Sequence, residues 1–503
     1  MADKVRQLAA SERGPTMELL VLAAPIIAMT TSRMLMGFID FVMVSQLGTD
    51  AQAAISPASL FVFVVGCVGL GIANAVQTFV SQADGRGEPG EAGGYAWQSF
   101  YIAGACALLT LGPALTTEMW FAPLAAFAGH SQAVTRMEID YVHIALWTVP
   151  PSIVCIGLNG FFNGIQKPWI TFLAVMVSLV TNVVGNWLLI FGNLGFPALG
   201  IEGAAYATVA AWTARAAVLT IAMLAPHYDR MYNTRRSQAL RQDKLMGLIR
   251  VGAPTSVGWL VDIGSWMVFL VLIVPIFSTT AMAASNIGLQ LMHLSFMPAI
   301  GIGMALCSQV GFAIGEGQPD KAALRAKVAF RLTGGYMGAV GLLFLLAREP
   351  LVSLFNSDPA VVAVGARVLI WAAVFQVFDA MAITYMNALR GAGDTKVPAA
   401  IMGVCCWVVF ICGGYAMAHF VPQWGLDGVW CACTSYIILV GLALMWRWYG
   451  GRWRSIRLFG EQRAFPVAAE PPEEAPAGAG TASVDPALVD RESEEAAVAT
   501  DGR

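Results

Sequence analysis

The sequence predicts an all-α integral membrane protein with about twelve transmembrane helices, arranged as two parallel lobes of six helices each. Of its 503 residues, 57% are hydrophobic and only 12% are charged, whereas soluble domains carry about 25% charged residues. Apolar runs long enough to cross a bilayer, about 20 residues each, recur along the chain as far as Trp448. This composition excludes a water-soluble globule and makes the lipid bilayer the main solvent of the protein.

Composition and motifs also argue against several functions. The net charge of -3 is weak, and the basic residues form no patch with interleaved aromatic residues, so we expect no nucleic-acid partner. Neither the zinc-protease motif H-E-x-x-H nor the ATP-binding motif G-x-x-x-x-G-K-S/T occurs. We therefore expect no enzyme and no cofactor, and an ion gradient as the energy source. The nine cysteines fall within predicted helices, where we expect small core residues.

The loops predict the orientation of the chain. Lys and Arg collect in every second loop, for example at Arg86, Lys167 and 230–250, which indicates the cytoplasmic side. Both termini are then cytoplasmic. Residues 461–503 are rich in Ala, Pro and Glu, which predicts a disordered acidic tail. The predicted organisation is a cytoplasmic N-terminus (1–16), an N lobe (17–225), a cytoplasmic linker (226–245), a C lobe (246–450) and the cytoplasmic tail (451–503).

The chain repeats itself at a spacing of about 230 residues. Several Gly- and Pro-containing matches fall in the same order at nearly one offset. Because six helices per repeat is an even number, both halves enter the membrane from the same side, and substrate is expected between them. The matches are Ala24-Pro25 with Ala253-Pro254, 69–71 with 301–303, 85–89 with 315–319, and 200–203 with 425–428.

Three aspartates interrupt the apolar runs: Asp40 in the first helix, Asp262 in the seventh and Asp379 in the tenth. A charge at a helix centre costs about 2.5–3.5 kcal/mol on insertion, so such groups usually face a cavity or a partner. Asn182 and Asn186 share one face of the fifth helix. These oxygens could bind Na⁺, at Asp40 with the asparagines or at Asp262 with Asp379; alternatively, a buried carboxylate could carry a proton. The alternative is a purely structural role, in which each aspartate is neutralised by an Arg or held by hydrogen bonds between helices.

Arg33 precedes Asp40 by two helical turns on the same face. It either contacts substrate or tunes an acid, or it is half of a structural ion pair, which we favour slightly. Arg215 and Arg367 lie nearer helix ends, where long side chains reach water, and we assign them no function. His293 could relay protons, but a hydrogen-bonded interior histidine is the commoner outcome.

The sequence resembles the MATE (multidrug and toxic compound extrusion) family, specifically its NorM-like bacterial branch, over residues 17–450. The resemblance is carried by several motifs together: 35–40 followed by 42–44 and 47–48, the paired Asn182 and Asn186, 252–254 followed by Asp262, 375–376 with 379–380, and 389–391 with 393–396. Arg33 stands where this branch commonly carries Gln, and Phe375 where some relatives place Tyr. These two residues and His293 are therefore candidate modulators of the cavity.

The resemblance implies the two-lobe MATE fold, alternating access, and export of bulky, often cationic and aromatic, drugs or toxic metabolites in exchange for entering Na⁺ or H⁺. It also implies that Asp40 with the asparagines, and Asp262 with Asp379, are the cation or substrate sites of the two lobes. We expect a monomer in a bacterial cytoplasmic membrane.

Two other functions compete with this one. A flippase for lipids or lipid-linked oligosaccharides would share the architecture, although such proteins tend toward cationic cavities. An intramembrane aspartyl protease is a remote alternative, because 391–394 fits GxGD and Tyr228-Asp229 fits its partner YD motif. Both of these aspartates are predicted in charged loops, where two catalytic carboxylates would not share a dry site.

Overall fold

A computed structural model of the chain describes residues 14–127 and 129–459. All regular elements in these residues are helical, and twelve helices are long and apolar enough to cross a membrane. In chain order they are α1 Pro15–Ser45, α2 Thr49–Gly85, α3 Pro89–Leu115, α4 Gln132–Gly164, α5 Pro168–Leu189, α6 Ile201–Met223, α7 Gln242–Ile276, α8 Thr279–Gly315, α9 Pro319–Leu346, α10 Pro359–Ala392, α11 Lys396–Phe420 and α12 Leu426–Tyr449. The predicted all-helical fold with twelve spans is confirmed. We call α1–α6 the N half and α7–α12 the C half.

The segment between the halves is packed instead of being a plain polar linker. It contains the short helix Pro226–Tyr232, and two side chains of α3 then hold it in place. Trp97 Nε1 donates to the Thr234 carbonyl at 2.5 Å, and Gln98 Nε2 donates to the Ala239 carbonyl at 3.3 Å. The connection therefore lies against α3 before α7 begins.

The first residues of the predicted tail are also ordered. Trp453 stacks on Trp448 with ring centroids 4.1 Å apart, and Arg454 forms an ion pair with Asp320 at 2.9 Å. Buried tryptophan surface explains why the chain stays packed beyond α12. All of the predicted disordered segment, 461–503, and residues 1–13 of the predicted N-terminus lie outside the described residues.

Matching backbone turns support the internal repeat. Gly87 and Gly317 both have positive φ, +71° and +73°, and each precedes a proline that begins the next helix two residues later. Gly200 and Gly425 share a second conformation that side chains rarely adopt, with φ of 58° and 52° and ψ of −126° and −137°. Equivalent positions of the two halves therefore have the same local fold.

The two halves meet through α1, α2, α7 and α8. Helix α1 packs on α8, and α2 packs on α7 and α8. In the repeat, α1 is equivalent to α7 and α2 to α8, so the α1–α8 and α7–α2 contacts are equivalent to each other. At one end, Gln77 Nε2 donates to the Met304 carbonyl at 2.8 Å and to Ser308 Oγ at 2.7 Å. Gln82 Nε2 donates to the Gly391 carbonyl at 2.9 Å. These bonds close the halves together on the side that the basic loops predict to be cytoplasmic.

Two equivalent glycines, Gly85 and Gly315, permit the close contact of α2 with α8. A Cβ on Gly85 would overlap the backbone of Phe312, and a Cβ on Gly315 would overlap the Gln82 carbonyl oxygen. Because backbone atoms face each glycine, a side chain there cannot be accommodated by a rotamer change.

We predict that Gly85→Ala lowers the free energy of unfolding by about 1–3 kcal/mol, the range for overpacking. Alanine stabilises a helix relative to glycine by about 0.5–1 kcal/mol. Without the close contact, Gly85→Ala would therefore raise the free energy of unfolding. Gly335→Ala, in α9 with nothing within 4 Å of the new Cβ, is the matched control. The midpoints of thermal unfolding in detergent decide; equal midpoints for the two variants would contradict the close packing.

Candidate functional site

The N half brings together the three polar residues that the sequence singled out. Asp40 lies five residues before the end of α1, and Asn182 and Asn186 are fully buried on α5. Asn186 Nδ2 donates to Asp40 Oδ1 at 2.5 Å and, at 3.4 Å, to Asn182 Oδ1. The carboxylate thus has a hydrogen-bond donor inside the membrane, and the amide pair fixes its position.

This N-half site can hold a proton or a cation. Asn186 Oδ1 is buried without a hydrogen-bond partner, and turning this amide by 180° would direct its oxygen toward Asp40. Tyr141 of α4 also lies within electrostatic range of Asp40, and its hydroxyl accepts from Ser59 Oγ at 3.2 Å. Carboxylate and amide oxygens on α1 and α5 are the ligands that hard cations prefer.

The C half has its own acidic site near the centre of the membrane helices. Asp262 lies in the middle of α7, where the Tyr436 hydroxyl of α12 donates to its Oδ1 at 3.3 Å. The Cys406 thiol of α11 lies 3.9 Å from the same oxygen. Cys406 belongs to the π-helical segment Cys405–Cys412; such segments are frequent at functional sites. Three helices thus surround one carboxylate.

Asp379, in the middle of α10, is the second acid of this site. Among the described residues it has neither an ion-pair partner nor a hydrogen bond, and it interacts electrostatically with Asp262. Two unneutralised carboxylates repel each other strongly in a low-dielectric site. The pair is therefore a place where a proton, Na⁺ or a cationic ligand would be stabilised.

The three predicted modulators of the cavity, Arg33, His293 and Phe375, lie in different environments. None of the ion pairs in the described part of the chain includes Arg33, so the structural ion pair predicted for it is not observed. Its guanidinium carbon lies 5.7 Å from the Trp212 ring centroid. His293 is exposed, with Nδ1 2.9 Å from the Leu289 carbonyl oxygen. Phe375 is buried in the core of the C half.

Sequence reasoning missed two contributors and misplaced a third. It did not single out Tyr436 or Trp212, because aromatic residues are common in apolar helices and carry no distinguishing signal. The expectation that Arg215 reaches water from a helix end is wrong, since it is 2% exposed within α6. Arg215 is a charged residue within an apolar run, the same feature that singled out the three aspartates. Arg367 forms an ion pair with Asp427.

Comparison with known proteins decides the family. The model of the MatE family matches residues 25–188 and 254–416, one segment in each half. The chain belongs to the MatE family. Two probable multidrug resistance proteins NorM are similar to it: that of Rhizobium meliloti, 30% identical over 86% of this chain and 92% of its own length, and that of Idiomarina loihiensis, 27% identical over 87% and 94%. Like them, it is a NorM-like member and a multi-pass membrane protein.

Solved structures show the same fold. The Vibrio cholerae MATE transporter VcmN superimposes with a TM-score of 0.79 at 20% identity, covering 88% of this chain and 98% of its own. The two segments that match the MatE family also contain all five predicted site residues: Asp40, Asn182 and Asn186 in the first, Asp262 and Asp379 in the second. Tyr436 lies outside both segments.

We predict that Asn186→Leu, which keeps the size of the side chain, lowers the free energy of unfolding. Asp40 loses its donor, and an unsatisfied buried polar group costs about 1–3 kcal/mol. The control is Val184→Leu, on the exposed face of the same helix, which should change little. Thermal unfolding in detergent measures both variants. A drop shared equally by the two variants would mean that the amide does not support Asp40.

Proposed function

We propose that this protein exports bulky, cationic, aromatic compounds, drugs or toxic metabolites, in exchange for entering H⁺ or Na⁺. The observation that carries the proposal is the Asp262–Asp379 pair, two acids at the centre of the membrane helices with no basic partner in the described residues. The relatives named as multidrug resistance proteins support the substrate class.

The acids link the ion to the substrate because a cationic compound and the coupling ion compete for the same negative charge. A gradient moves substrate only if each ligand prefers a different arrangement of the two halves. In the arrangement described here, the Gln77 and Gln82 hydrogen bonds join the halves at one end. Alternating access would require these bonds to break when that end opens.

The setting is a bacterial cytoplasmic membrane, with both termini and the basic loops in the cytoplasm. The positive charges of Arg86 and Lys167, in loops on one side, support this orientation. We propose that the transporting unit is a monomer. A transporter driven in this way needs no cofactor and carries out no covalent chemistry.

We predict that Asp379→Asn lowers gradient-driven ethidium transport in proteoliposomes by about tenfold or more, since coupling free energies between sites are typically about 1–3 kcal/mol. Asp358→Asn is the matched control: Asp358 caps the same helix, α10, on its exposed end, and Asn caps a helix as well as Asp. An imposed pH gradient and an imposed Na⁺ gradient are compared, and the gradient that drives transport identifies the ion.

Two results would contradict the proposal. Equal transport by Asp379→Asn and the native chain would remove the acid from the mechanism. No ethidium transport under either gradient would favour the competing flippase function, which labelled-lipid scrambling in the same vesicles would then test.

A further inference from the structure

A second charged cluster lies in the N half, apart from the carboxylates. Arg33 of α1 and Arg215 of α6 both lie against the indole of Trp212, with guanidinium carbons 5.7 Å and 5.3 Å from the ring centroid. Arginine over an indole face makes a cation–π contact. The Cys155 thiol of α4 completes the surroundings by contacting the Trp212 carbonyl oxygen at 3.5 Å. We call these residues the arginine cluster.

The arginine cluster lacks a negative charge. No ion pair among the described residues includes Arg33 or Arg215, and Nε and Nη2 of Arg215 are buried without hydrogen-bond partners. The two guanidinium groups also repel each other, since each lies within electrostatic range of the other. An unpaired charge buried in the membrane, as at Arg215, is costly, and the indole ring that it shares with Arg33 offsets only part of that cost. An anion bound at the cluster would neutralise the charges of Arg33 and Arg215 and accept hydrogen bonds from the unpartnered donors of Arg215.

The repeat shows that this charge is particular to the N half. Arg33 follows Pro25 by eight residues, and Asp262 follows Pro254 by eight residues. The same position of the duplicated fold is therefore basic in one half and acidic in the other. Asp40 does not neutralise Arg33, since it lies two helical turns away, about 10 Å along α1, and is held by Asn186.

We propose that Arg33 and Arg215 bind the carboxylate of an aromatic substrate, with Trp212 contacting its ring system. A guanidinium presents parallel N–H donors that match a carboxylate, and the accessible Arg33 meets the ligand before the deeper Arg215. The inference rests on the proposed function and assigns to the N half of this chain a site for an anionic group of the substrate, separate from the acids of the C half.

Binding of two matched fluorescent probes tests the site. The full chain is reconstituted in phosphatidylcholine nanodiscs, and fluorescence anisotropy follows pyrenebutyrate and a pyrenebutyl trimethylammonium cation. We expect Arg33→Gln to weaken pyrenebutyrate binding at least tenfold and to leave the cation unaffected, with Arg33→Lys retaining part of the affinity. Arg136→Gln, at an exposed arginine paired with Glu118 and Asp140, is the control and should bind both probes as the native chain does.

Equal pyrenebutyrate affinity in Arg33→Gln and the native chain would overturn the site. A lipid phosphate is the other source of such an oxyanion. If the native chain binds pyrenebutyrate in phosphatidylcholine nanodiscs but not in phosphatidylglycerol nanodiscs, while it binds the cationic probe in both, a lipid phosphate occupies the cluster and the substrate assignment fails. Arg33 is accessible, so its variants test the site even if Arg215 variants do not fold.

The binding result is independent of transport. Failure of ethidium transport with Arg33-dependent pyrenebutyrate binding would overturn the proposed function and leave the anion site in place. Normal ethidium transport with pyrenebutyrate binding that does not depend on Arg33 would support the proposed function and overturn the anion site.

Discussion

The cost of an unpaired charge in a low-dielectric medium governs this structure. A charged side chain at a helix centre costs about 2.5–3.5 kcal/mol on insertion, so each such group must be met by other helices or by a ligand. Asp40 is met by Asn186 of α5, and Asp262 by Tyr436 of α12. Asp379 and Arg215 are not met by opposite charge in the described residues, which makes them the positions where a ligand would contribute most.

Duplication supplies the frame in which these charges are placed. The equivalent turns at Gly87 and Gly317 and the reciprocal contacts of α1 with α8 and α2 with α7 show two copies of one helical arrangement. The ionisable residues, however, differ between equivalent positions of the two halves. Arg33 and Asp262 occupy equivalent positions with opposite charge, so the symmetric frame carries an asymmetric pair of sites, one able to attract anions and the other cations.

Much of this could be predicted from sequence, and the rest could not for identifiable reasons. Apolar runs and Gly-Pro turns determine the spans and the repeat, and the i, i+4 spacing of Asn182 and Asn186 predicts their shared face. Asn186 does contact Asp40. The partner of Asp262 could not be predicted, because Tyr436 is one aromatic residue among many in apolar helices. The packing of the linker against Trp97 depends on tertiary contacts, which local patterns do not encode. The burial of Arg215, by contrast, had a sequence signal, since it is a charged residue within an apolar run.

The C half has a backbone feature at its acidic site that its counterpart lacks. Helix α7 contains the π-helical segment Phe269–Ile273, and α11 contains Cys405–Cys412, whereas α1 and α5 are α-helical throughout their described lengths. In a π segment the backbone hydrogen bonds join residues i and i+5, and such segments are rare but frequent at functional sites. Cys406 lies in such a segment beside Asp262. The acids of the two halves therefore differ in the backbone that surrounds them as well as in their hydrogen-bond partners: Asp40 lies between two regular α-helices, and Asp262 faces a π-helical segment.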